Sequence, residues 1–193
     1  MLSALTRAFL LLVALLGALT LAPTAYAETA PKPTTAELDA LFSELKASKD
    51  LLEAQQVEFR IWDAWAKSGD AEIDKLVGLA IAGMQEGNHA DALAALDVVV
   101  SKKPDFAEGW NKRATVLYLM GELDRSIADI RQVLLLEPRH FGAISGLGLI
   151  EVAKGDPKGA IQAYRKVIEI YPMNATAKQS IESLGKVIEG EPL

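Results

Sequence analysis

The chain has 193 residues, half of them hydrophobic, a net charge of −6, a pI near 5.0 and no cysteine. That length and apolar content can bury the core of one domain or two. The missing cysteine excludes a disulfide framework, a thiol nucleophile, thiolate metal ligands and the lipid anchor of an exported lipoprotein. The acidic balance excludes the clustered basic footprint of a nucleic-acid binder.

Residues 1–27 read as a cleavable export signal. Arg7 is their one charge, an uncharged Ala/Leu-rich run of 15 residues follows from Ala8 to Ala22, and Pro23 breaks it. Ala25-Tyr26-Ala27 then sets small residues at a cleavage site before Glu28. The run is shorter than the roughly 20 residues that span a bilayer, so cleavage is expected rather than anchoring. The leader has a bacterial look and points to the periplasm. Residues 28–33 form a short Pro-rich linker.

Strand signals are absent, and the rest of the chain reads as all-α. Thr34 with Glu37 is a capping box that opens a helix carrying Leu38, Leu41, Phe42 and Leu45. Asp50 with Glu53 starts a second helix, which ends near Gly69. Phe59, Trp62 and Trp65 lie three apart on that helix, and are expected to pack onto the segment that follows. An exposed aromatic binding patch is the alternative.

From Asp70 onward the punctuation repeats every 34 residues. Gly87, Gly121 and Gly155 are in register, as are Pro104, Pro138 and Pro172. So are Leu76, Trp110 and Ile144; Ala92, Ser126 and Ala160; and Leu96, Ile130 and Tyr164. Apolar residues recur three, four and seven apart on each side of every glycine, as paired amphipathic helices require. Asp70, Asn88, Asp105 with Glu108, Asp156-Pro157 and Asn174 mark helix starts. The spacing predicts helices at 71–86, 89–102, 106–120, 123–136, 141–154, 157–171 and 175–189, after two at 34–46 and 50–68. Ala80, Ala114 and Gly148 share the position where two paired helices come closest. Arg113 replaces an apolar residue and needs an acid, with Asp129 and Asp97 as candidates.

A helix-turn-helix unit with a fixed 34-residue period resembles the tetratricopeptide repeat family. The resemblance implies a right-handed superhelical α-solenoid with repeats at 73–106, 107–140 and 141–174. A degenerate hairpin at 34–72 would cap its open end, and a lone helix in 175–193 would cap the other. It also implies protein binding on a concave surface lined by the first helix of each repeat. The matching positions are Asp74, Val77, Ile81 and Met84, then Glu108, Asn111, Thr115 and Tyr118, then Gly142, Ser145, Leu149 and Val152. Asn111 is expected to face the trough, exposed, and Trp110 to point into the core. The family's clamp for a terminal carboxylate would fall on Val77, Ile81, Lys112, Gly142 and Gly146, which do not match it.

No catalytic constellation stands out. The Gly146–Glu151 run lacks the third glycine and the preceding strand of a dinucleotide fingerprint. His89 and His140 lie at helix starts in different repeats, where capping is the expectation rather than metal binding. The reading is a non-enzymatic, exported scaffold without cofactor or metal that binds an envelope protein or peptide in its groove. The alternatives are a structural subunit using its convex or terminal faces, and a groove filled by the chain's own terminal helix.

Overall fold

The computed structural model describes residues 32–190. The expected leader, and the linker up to Pro31, lie outside the described residues. All regular structure among them is helical: α1 Thr35–Ala47, α2 Leu51–Ala66, α3 Ala71–Gln85, α4 His89–Lys102, α5 Ala107–Leu119, α6 Leu123–Leu136, α7 Phe141–Ala153, α8 Pro157–Ile170 and α9 Ala175–Glu189. The boundaries fall within two residues of those predicted, because the capping chemistry is local. Thr34 and Glu37 close a reciprocal capping box on α1. Asp50, Asp70, Asp156 and Asn174 each accept a first-turn amide of the helix that follows.

Two expected caps differ. Asn88 makes no capping bond and donates instead to Glu86. Asp105 does not cap α5, whose first flanking residue is Phe106. Its carboxylate is drawn to Lys32 and Lys103, and Glu108 turns inward to other partners.

The helices pair into hairpins α3–α4, α5–α6 and α7–α8, with α9 against α8 and the first helices α3, α5 and α7 side by side. Gly87, Gly121 and Gly155 occupy equivalent turns, each with φ of 77–78°. That left-handed conformation is one only glycine adopts freely. The amide after each one bonds the carbonyl five residues back: Asn88 to Gly83, Glu122 to Leu117 and Asp156 to Glu151, at 2.7–2.8 Å. This is the Schellman closure of a helix end, repeated at 34-residue intervals. Gly148 leaves room for the Tyr164 ring, which an added Cβ would meet at 2.8–3.0 Å, so α7 and α8 pack tightly there.

The first hairpin is not where the sequence placed it. The two core clusters of the first repeat, around Ile73, Val77 and Val99 and around Ala80, Leu96 and Val116, contain no described residue of α1 or α2. Those helices instead share a core with Phe141, Ile144 and Tyr171. They lie across the amino-terminal ends of α5, α7 and α9. Asp39 reaches Arg139 at 2.7 Å, Glu58 reaches the Tyr171 hydroxyl at 3.1 Å, and α2 touches α5.

The aromatic stripe on α2 also divides differently. The buried face is Ala54, Val57, Ile61, Ala64 and Trp65, with Trp62 at its margin. Phe59 sits roughly 140° around the helix from Ala54 at 100° per residue, and its side chain is 72% exposed. A strict spacing of three drifts off any one face, which is why the stripe does not act as a unit.

Candidate partner-binding groove

The amino-terminal half of the trough is roofed. Trp62 lies over Gly142, where an added Cβ would fall 3.0 Å from the indole Cζ2. Its ring meets Phe141 edge-on at 5.4 Å between centroids and lies 5.8 Å from the Lys112 ammonium. Trp65 stacks flat on His140, 4.0 Å between centroids and 7° between planes. Gly142, which the resemblance placed as a groove-lining position, is the slot that admits the indole.

Beneath this roof is a buried polar cluster. His140 is fully buried, and its Nδ1 accepts the Ala143 amide at 3.1 Å, capping α7. The ring proton therefore sits on Nε2 and is donated to Glu108 Oε2 at 3.1 Å. Glu108 also accepts from Asn111 Nδ2 at 2.8 Å and pairs with Lys112 Nζ at 2.7 Å. Burial pushes the Glu108 carboxyl up more than any other influence does. The His140 hydrogen bond and the Lys112 charge together outweigh it, and hold the group below the ordinary carboxylate range. The Lys112 pair follows the i,i+4 spacing of a single helix and is legible in sequence, whereas the His140 partner, 32 residues on, is not.

The ten expected groove residues therefore fall into two sets. Val77, Glu108 and Asn111 are buried, and Ser145 is half-buried with its hydroxyl returned to Phe141 O. Asn111 does not project into an open trough as expected; its amide is spent on Glu108. At the other end Ile81, Thr115, Leu149 and Val152 are exposed, with Met84 and Tyr118 half-buried beside them. A small cleft between α5 and α7, lined by Thr115, Tyr118 and Leu149, opens there. The structure thus leaves a mainly apolar half-groove facing solvent.

Two further expectations meet the structure nearby. Arg113 takes both candidate acids, with Nε and Nη2 on Asp129 at 2.7 and 2.8 Å and Nη1 on Asp97 at 2.9 Å. Trp110 is only half-buried, its indole N–H donating to Pro104 O at 2.9 Å and its face covered by Arg113 at 4.8 Å. It lies at the margin of the core rather than inside it. No group of three or more His, Cys, Asp or Glu that could hold a metal occurs among the described residues.

Stacked helical hairpins whose first helices share one face define a helical-repeat scaffold, an architecture that presents an extended concave contact surface. The chain belongs to the tetratricopeptide repeat family. The family profile matches residues 111–175. A TPR repeat-containing protein of Rhizobium etli is 37% identical over 164 residues, covering 85% of this chain and 79% of that one. Among solved structures, the Sgt2 TPR domain from Aspergillus fumigatus aligns with a TM-score of 0.57 at 26% identity, over 64% of this chain and 87% of that one. The first TPR of Spaghetti (RPAP3), bound to the HSP90 peptide SRMEEVD, aligns with a TM-score of 0.58 over 61% of this chain and 94% of that one. Its identity is 16%, so that likeness is one of fold.

Proposed function

We propose that this protein is a non-enzymatic scaffold that holds a protein or peptide partner against the open half of its groove, in the periplasm, after a leader is removed before Glu28. The observation that carries the reading is the exposed apolar lining of Ile81, Leu149 and Val152 beside Tyr118 and Met84. Such a surface suits an extended segment or the apolar face of a helix. The fold-similar TPR domain of Spaghetti (RPAP3), solved with an HSP90 peptide, supports the class of partner. Lys112 is tied to Glu108, so no free basic clamp for an acidic carboxyl terminus is expected at that position.

The test is co-purification from a periplasmic extract with the mature chain and two variants. Leu149→Asp places a charge in the open groove and should abolish capture of the native partner. Leu135→Asp, on an exposed position of α6, should not. The reverse pattern replaces the groove reading with that of an assembly subunit using its second helices. Intact mass of the extracted protein checks export: a chain beginning at Glu28 supports it, and a membrane-bound chain retaining 1–27 overturns it.

A further inference from the structure

We propose that the roofed half of the groove is a receptor for an amphipathic partner helix bearing two aromatic side chains three residues apart, and that α1–α2 is a displaceable occupant holding that seat. This rests on the groove reading above and names a second, presently filled part of the same surface.

The seat is shaped for such a helix. Gly142 leaves a slot for one aromatic ring, and the flat face of His140 receives the other. The polar floor needs nothing from the occupant. Among the described residues, every bond to the Glu108 carboxylate comes from Asn111, Lys112 or His140, all of the solenoid. What α2 contributes there is aromatic and aliphatic surface, which another helix could supply equally.

The resident occupant fits imperfectly. The Trp65 indole N–H is buried and has no hydrogen-bond partner among the described residues, an unfavourable state for a donor. A cleft of about 560 Å³, open to solvent, lies between the hairpin and the inter-repeat turns, with Leu38, Trp65, Phe106 and Leu136 in its walls. Of its two polar ties to the solenoid among the described residues, Arg139–Asp39 lies at the surface, where ion pairs contribute little, and the other is a single hydrogen bond from the Tyr171 hydroxyl to Glu58. A covalent link of only Lys67–Asp70 joins it to α3, and the first repeat's clusters do not depend on it. A partner helix with phenylalanine in the place of Trp65 would seat without the orphaned donor.

The experiment uses the full chain and a fluorescent peptide of residues 50–68, made with Trp65→Phe. Anisotropy is read for wild type, for Trp62→Ala/Trp65→Ala, and for Asp39→Arg, an exposed change that repels Arg139 and leaves the core intact. The peptide should bind the double variant at least tenfold more tightly than wild type, and Asp39→Arg severalfold more tightly. The same peptide with alanine substituted for both aromatics should bind none of them. Equal binding to wild type and Asp39→Arg, or no binding to any chain, would show that α1–α2 is a permanent part of the fold. Wild-type dimerisation with rising concentration that Trp62→Ala abolishes would assign the seat to a second copy, and would overturn the partner helix. Capture of the native partner by the Leu149→Asp chain separately reports the groove reading, so the two can fail independently.

Discussion

Glu108→Gln isolates the charge at the centre of the buried floor. The substitution keeps the side chain's shape but removes the anion that pairs with Lys112 at 2.7 Å and accepts from His140 at 3.1 Å. Hydrogen bonds to a charged group contribute about 1.5–3 kcal/mol and neutral ones about 0.5–1.5, so two weakened bonds cost about 2–3 kcal/mol. Lys112 is about a quarter exposed, 27%, and can turn its ammonium to water, which keeps the loss below that of a fully buried broken pair. At roughly 2–4 °C per kcal/mol for a chain of this size, Tm at pH 7 should fall by about 5–10 °C. The pH dependence carries the sign. Glu108 is held below the ordinary carboxylate range, so its stabilisation is present at and above that range and is lost as pH falls through the lower folded value. Thermal melts of both chains from pH 7 to pH 3 should therefore converge at the acid end. A gap that persists undiminished in acid would refute the electrostatic account and leave packing as the cause.

Arg113→Lys should cost about 2–4 kcal/mol in chemical denaturation, because an ammonium cannot make the forked bond to Asp129 and strands a buried carboxylate. Gly148→Ala should destabilise by about 1–3 kcal/mol despite the better helix propensity of alanine, since its methyl meets the Tyr164 ring; a rise in Tm would show that the rings have room to move. Asn111→Ala should cost about 1–2 kcal/mol of stability through the lost bond to Glu108, measurable by urea titration. A peptide ending in an acidic carboxylate should show no salt-sensitive binding by calorimetry, as Lys112 is already committed to Glu108.

The helix ends were legible because their signals act over one turn. Asp50, Asp70, Asp156 and Asn174 each bond amides two or three residues away, and the three turn glycines repeat one backbone conformation. The Arg113 pairing was half legible: a charge among apolar positions demands an acid, but the fork to Asp129 with a third bond to Asp97 depends on the packing of α5 between α4 and α6. The seat of α1–α2 was not legible. Periodicity tells which face of α2 is apolar, not which surface it meets. That choice is made by residues that look unremarkable in sequence, a glycine at 142 and a histidine at 140. With the seat unknown, Asn111 and Glu108 read as open groove positions when they are its covered floor.

The reach of α1–α2 across the array changes how the molecule should come apart. Repeats that touch only their neighbours can unravel one unit at a time from either end. Here Asp39 contacts Arg139 across 100 positions and Glu58 contacts Tyr171 across 113. Loosening of α7 or α9 must therefore free α2, whereas α2 can leave with α7 still folded. Closing loops of that length is slow, so in refolding the hairpin should settle last, onto repeats already formed. In hydrogen exchange the amides of α2 should open at or before those of α7, and anything that holds the seat shut should slow the unravelling of the carboxyl-terminal repeats.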